Sequence, residues 1–243
     1  MYRLFLARKT LEESLNLFYR AIDLDAGLAA AYGMAAWCYS HRKIQGWIVD
    51  KGWEEAETRR LAFRVSSIAQ DDALALCHAG FALFYVCNDF ETGAALIDKG
   101  LSINQNLAIG WRYRAASNLF IGEHEAVINF VNRSMRLSPL DPSNYAAESI
   151  AAAALMFLGK YDDAIKLAAR SLAGHPTHML TLRTLVVANA LTGDLEKARH
   201  ALAQVREVYP TLRLSELKHW LPFRRPRDAE RMAEGFRLAG LPE

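Results

Sequence analysis

Apolar residues along this chain recur at three- and four-residue steps, and the stretches that carry them come in two alternating kinds. One kind is almost continuously small and apolar: "AYGMAAWCY", "LALCHAGFAL", "GWRYRAASNL", "YAAESIAAAAL" and "LTLRTLVVANAL". The other is amphipathic, as in "GKYDDAIKLAARSLAGHP" (159–176) and "GDLEKARHALAQVREVYP" (193–210), which share one plan and one length. Both have the helical period. The alternation predicts hairpins, each made of a helix buried on most sides and a second helix with one buried stripe. In 159–176 that stripe is Ile165, Ala168 and Leu172.

Turn signals punctuate the pattern at a nearly constant interval. Taking Ala26, Gln70, Gln105, Pro139, Pro176 and Pro210 as markers, successive spacings are 44, 35, 34, 37 and 34 residues. A base period of 34 with one ten-residue insertion is the signature of a repeat protein. Gly122, Gly159 and Gly193 separate first from second helix, where a left-handed residue turns the chain. Pro139, Pro176 and Pro210 close the second helix.

Small residues form three columns: Ala36, Gly80, Ala115, Ala152 and Val186 in the first helices; Ser14, Thr58, Gly93, Val127, Ala164 and Ala198 in the second; and Ala21, Val65, Gly100, Ser134, Ser171 and Val205 near its end. Side chains of this size let helix axes approach closely. No hairpin buries its stripe alone, so neighbours must stack. The expected fold is an all-α, right-handed α-α superhelix, a solenoid running through residues 1–243. Its parts are an N-terminal half unit (1–28), a repeat with an insertion at 44–53 (29–72), four further repeats (73–107, 108–144, 145–178, 179–212) and a capping tail (213–243).

These residues resemble the tetratricopeptide repeat family over roughly residues 10–212. The pattern is carried by Trp111, Ala115, Gly122, Val127, Ser134 and Pro139 in one repeat, and by Gly159, Tyr161, Ala164, Ala168, Ser171 and Pro176 in the next. Ala26, Gln70 and Gln105 stand where the family's turn proline is expected. The resemblance implies a concave side lined by the first helices, with Trp37, His41, Phe81, Phe84, Tyr85, Arg112, Phe120, Phe157 and Arg183 facing inward. The family's lysine and asparagine clamp for a C-terminal carboxylate is not matched, since apolar residues and two arginines fill those positions. The implied function is a protein-interaction module gripping an amphipathic helix, or an extended apolar segment with an acidic group. Alternatives are self-association through Leu4, Phe5 and Leu6 of the stub "YRLFLARKT", and a small-ligand sensor packing its ligand on Trp37, Phe81 and Tyr85.

A narrower resemblance lies in "RAIDLDAGLAAAYGMAAWCY", "DFETGAALIDKGL", "RLSPLDP" and "LPFRRPRDAERMAEGFRLAGLPE". These stretches are similar to the C-terminal repeat region of certain bacterial adenylate/guanylate cyclase-type proteins, and to regions that follow winged-helix regulator domains. The similarity implies a regulatory or sensory role, with no cyclase catalytic domain among these residues.

Composition and chemistry narrow the function classes. With 52% hydrophobic and 23% charged residues the chain is an ordinary folded protein, and a net charge of +2 is too small for nucleic-acid binding by bulk electrostatics. Apolar runs fall short of the roughly 18 residues of a membrane span. Three cysteines without a CxxC pair suit buried thiols in the cytoplasm. Cys77 and Cys87 lie at opposite ends of one helix and do not bridge. No nucleophile elbow, phosphate loop or H-E-x-x-H pattern is present, so no catalytic residue, metal or cofactor is expected. His175 and His178 in "GHPTH" make a poor metal site without converging carboxylates, and the other histidines are dispersed.

Two segments break the period. In the insertion Gly46 and Gly52 bracket Trp47 and Ile48, and a helix supported by Glu55–Arg59 starts at Glu54. Trp47 and Trp53 are either anchors for a partner or the cover of the gap. The tail reads as a helix to about Trp220, a turn at Pro222 and a helix from Arg227 to near Gly240. Arg224, Arg225, Arg227 and Arg231, interleaved with Asp228 and Glu230, read as a solvated capping face.

Overall fold

The computed structural model describes residues 8–220 and 222–243, with 218–220 by backbone alone. Leu4, Phe5 and Leu6, the surface expected for self-association, lie outside the described residues. The chain divides into two compact units, Met1–Ser117 and Asn118–Glu243. All regular structure among the described residues is helical.

The N-terminal unit holds α1 (Arg8–Leu24), α2 (Ala29–Ile44), α3 (Lys51–Ile68), α4 (Ala73–Cys87), α5 (Phe90–Ile103) and most of α6 (Ala108–Ile121). Helices α2 and α3 form one hairpin and α4 and α5 the next; α4 packs on α2, its counterpart in the preceding repeat, as well as on α3. The C-terminal unit holds α7 (His124–Leu137), α8 (Asn144–Phe157), α9 (Tyr161–Gly174), α10 (Met179–Leu191), α11 (Leu195–Val208), α12 (Leu214–Trp220) and α13 (Pro226–Leu238). Here α8 pairs with α9 and α10 with α11; α8 and α10 pack side by side, and α13 lies on α10.

Local chemistry sets these boundaries. Asp72, Asp89 and Asp194 each accept a hydrogen bond from the backbone N–H three residues on, capping α4, α5 and α11. Gly122, Gly159 and Gly193 take φ of +93°, +76° and +86°, while Asn88 fills the same role between α4 and α5 at +55°. At two of the three turns without proline a side chain takes over: the Asp25 carboxylate accepts from Gly27 N at 2.8 Å, and Asn104 Oδ1 from Asn106 N at 2.9 Å. The repeat therefore ends on time without proline.

The small-residue columns lie at the helix crossings. Ala36, Ala115, Ala152, Val186, Thr58, Val127, Ala164 and Ala198 are all at 0% exposure. Among the glycines within helices the tightest approach is between α4 and α5, where a Cβ at Gly80 would stand 2.5 Å from the Gly93 carbonyl oxygen. In α9 the fully buried stripe is Ala164, Ala168 and Ser171, with Ile165 and Leu172 half-buried beside it. The shift by one position follows from α9 facing two neighbours, α8 and α10.

The insertion is shorter as loop than its ten residues suggest, because the flanking helices absorb part of it. Helix α3 starts at Lys51, capped by Asp50, and not at Glu54. Glu54 is buried at 2% exposure, pairs with Arg42 at 3.1 Å and accepts from Val49 N at 2.9 Å, which pins the loop 45–50. Arg59 pairs with Asp89 of the next hairpin at 3.1 Å and donates to Cys87 O at 3.1 Å, a bond that also caps the end of α4. Trp47 packs against the core, whereas Trp53 is 55% exposed and edge-on to Tyr39.

Cys38, Cys77 and Cys87 are free and buried, and burial pushes their thiols up to about 12, 12 and 11. Thiolate is the reactive form, so none is expected to react with maleimide in the folded protein, and all three after unfolding in urea. Mass spectrometry reads this directly; rapid native labelling of any one would show that its burial is transient.

Candidate functional site

In the N-terminal unit the first helices bring aromatic side chains into a ladder. Trp37 and His41 of α2 are four residues apart on one face, with ring centroids 4.8 Å apart. His78, Phe81 and Tyr85 of α4 follow at steps of three and four residues, and Tyr113 comes from α6. Phe81 is stacked between Tyr113 at 4.3 Å and Tyr85 at 5.6 Å. His78 joins Tyr113 at 5.6 Å and Trp37 at 6.1 Å, and the Tyr113 hydroxyl lies 3.1 Å from His78 Nδ1. Trp37, His41 and Arg112 are half-buried, while Phe81 and Tyr85 are nearly flush with the surface at 7% and 6% exposure. Phe84, at 0%, points between α4 and α5, over Gly93 and against Phe90 at 5.7 Å.

His78 and Tyr113 belong to the ladder although neither is among the inward-facing positions that the family pattern implies. They stand 35 residues apart, the repeat interval, and that register is the signal that would have found them.

Lys43 closes the ladder. Its ammonium donates to Val86 O at 3.2 Å and sits 5.7 Å above the Tyr85 ring. Burial pulls it down to about 8.

Burial also pushes the His78 imidazole down to about 3, with the Arg112 charge acting in the same direction. The unfolded chain takes up that proton near pH 6.5 and the folded chain only near pH 3, so stability contributed by His78 falls as pH drops through this window. The expected slope inside it is on the order of 1 kcal/mol per pH unit. Urea titrations of the wild type and of His78→Phe between pH 4 and 7 check this; equal slopes would refute it.

The C-terminal unit treats its aromatic column differently. Phe120 lies in the last turn of α6 and Phe157 ends α8, and both are buried, at 3% and 4% exposure. Phe223 of the tail is 5.3 Å from each ring. Around it Arg224 N donates to Phe120 O at 2.9 Å, Arg231 donates to Phe157 O at 2.6 Å, and Arg225 pairs with Glu123 at 2.7 Å. Asp228, expected on a solvated face, is 4% exposed and faces His124 Nε2 at 3.1 Å, while His124 stacks on Phe157. Arg224, Arg225 and Arg227 are exposed as a capping face requires; Arg231 is half-buried. The difference arises because α13 turns Asp228, Met232, Gly235 and Phe236 inward together at helical spacing. Arg183 is 3% exposed, its guanidinium 6.0 Å above the Tyr209 ring.

His175 and His178 gather round Tyr145 at 4.8 and 5.1 Å, and His178 Nδ1 meets the Thr181 hydroxyl at 3.0 Å. Among the described residues no group of three or more His, Cys, Asp or Glu side chains is placed to hold a metal ion. No described helix is long and apolar enough to cross a membrane.

No protein-family model and no curated protein sequence matches the chain. Solved structures do. The Cut9 and Hcn1 hetero-tetramer of the APC/C is similar over 94% of this chain and 41% of its own, at 15% identity and a TM-score of 0.65. PilW, a type IV pilus biogenesis factor, is similar over 82% of this chain and 88% of its own, at 16% identity and 0.58. MamA residues 41 to the end, from Desulfovibrio magneticus RS-1, covers 72% of this chain and 96% of its own, at 18% identity and 0.51. The fold is that of tetratricopeptide-repeat proteins. At these identities the likeness is one of architecture, and the tetratricopeptide fold accounts for the hairpins, the small-residue crossings and the first-helix face of each unit.

Proposed function

We propose that this chain is a non-catalytic protein-interaction module whose docking face is the aromatic ladder of its N-terminal unit. The observation that carries the reading is the contrast between the two aromatic faces. Phe120 and Phe157 are already covered by the chain's own Phe223, whereas Trp37 and His41 remain half-exposed beside Phe81 and Tyr85. An amphipathic aromatic surface with polar handles is the composition that interfaces favour. The tetratricopeptide proteins of like fold support it, one of them being solved within a hetero-tetramer. A finer placement, as the regulatory repeat region of a cyclase-type or transcriptional signalling protein, rests on the stretches "DFETGAALIDKGL" and "RLSPLDP" and their neighbours.

Trp37→Ala combined with Arg112→Glu is expected to cut the capture of specific partners from a native-source lysate by about tenfold or more. Far-ultraviolet circular dichroism should be retained, and capture is compared well below the Tm, which should fall because Trp37 also packs against the core. Undiminished capture by a folded double variant would sink the assignment of this face.

A further inference from the structure

We propose that the N-terminal docking face takes a peptide segment pairing a carboxylate side chain with an aromatic one, the carboxylate seating on the Lys43 ammonium at the Tyr85 end of the ladder. This rests on the reading that partners dock on this face and adds the chemistry of the occupant.

The first argument is charge. Helices α2, α4 and α6, which build the face, contain no aspartate or glutamate, while α2 and α6 carry Arg42, Lys43, Arg112 and Arg114. Two of these cations are neutralised by second helices: Arg42 by Glu54 at 3.1 Å and Arg114 by Asp98 at 2.8 Å. Lys43 has a carbonyl and a ring for partners, and no carboxylate among the described residues lies within ion-pair distance of it. Its amine is held below the usual lysine range because burial outweighs the pull of Glu55, which stays beyond ion-pair distance of Lys43 and pairs with Lys51 instead. A carboxylate brought by a partner would supply that charge in a partly desolvated place, where ion pairs are stronger than on an open surface.

The second argument is the chain's own precedent. Phe223 sits against Phe120 and Phe157, each the thirteenth residue of its repeat, and the thirteenth residues in the N-terminal unit are His41 and Tyr85. Two residues after that phenylalanine, Arg225 pairs with Glu123. An aromatic side chain followed closely by a charge is thus a segment this repeat surface already accommodates. In the N-terminal unit the receptor charge is Lys43, so the charge on the segment is reversed.

The test is selection of a displayed library of random twelve-residue peptides on the immobilised full chain, beside Lys43→Gln and Lys43→Glu. Wild type should enrich peptides in which Asp or Glu lies within about three residues of an aromatic, and deplete Lys and Arg. Lys43→Gln should lose the acidic preference, with selected acidic peptides binding about tenfold more weakly. Lys43→Glu should favour basic peptides. Enrichment without acidic bias, or the same bias in folded Lys43→Gln, would overturn the inference and leave the docking face in place. No enrichment above the starting library would overturn both.

Discussion

Replacing Arg42 with alanine will destabilise the N-terminal unit by about 3–5 kcal/mol, although the residue it removes is a charged one beside an insertion. The Arg42 and Glu54 side chains are 13% and 3% exposed, and their contact is 3.1 Å. Without the guanidinium, the buried Glu54 carboxylate keeps only the Val49 N–H, 2.9 Å from its Oε1, as a donor among the described residues. The loop 45–50 should loosen with it, because that same carboxylate holds Val49. Arg42→Met with Glu54→Leu should be markedly less destabilised than Arg42→Ala, since removing both charges removes the desolvation problem along with the pair. Urea denaturation of the wild type, Arg42→Met, Glu54→Leu and their combination, with Arg42→Ala beside them, is the measurement. A single variant no worse than about 1 kcal/mol would place the pair among ordinary surface bridges.

Gly80→Ala should lower Tm by about 3–10 °C, opposite in sign to the usual effect of removing glycine from a helix. The new methyl group would stand 2.5 Å from Gly93 O and 2.9 Å from Ile97 Cγ1, and one of those contacts is backbone, which has no rotamer in which to retreat. Helices α4 and α5 must therefore separate, loosening the hairpin next to the ladder. Gly93→Ala meets Gly80 O at 2.7 Å and should act alike, and the two should not add, because the first substitution already opens the crossing. Gly52→Ala is the control. Only the Asp50 carboxylate stands near it, at 3.7 Å, so the ordinary gain in helix stability is expected there. A neutral Gly80→Ala would mean that the crossing is softer than its geometry.

The hairpins, their interval and their crossings were legible in the sequence because each depends on short-range rules. Periodicity of three and four places Ala36, Ala152 and Ala198 at the crossings, and all three are at 0% exposure. Gly122, Gly159 and Gly193 take the left-handed turns that their positions between helices require. Two of the three turns without proline are closed by local hydrogen bonds to the Asp25 and Asn104 side chains instead.

Only the tertiary structure decided which aromatic positions stay open and which charges are spoken for. His124 and Asp228 are 104 residues apart, and the sequence around Asp228 reads as one more interleaved charge on a solvated helix. Glu54 and Glu55 are adjacent acids, yet one is buried on Arg42 and the other lies at the surface of α3. Phe223 reaches Phe120 and Phe157 because the tail folds back after α12, a placement set by the packing of α13 on α10. Repeats make this kind of choice hard to foresee. Equivalent positions in successive hairpins have the same local geometry, so the partner of each is selected by what packs against it from far along the chain.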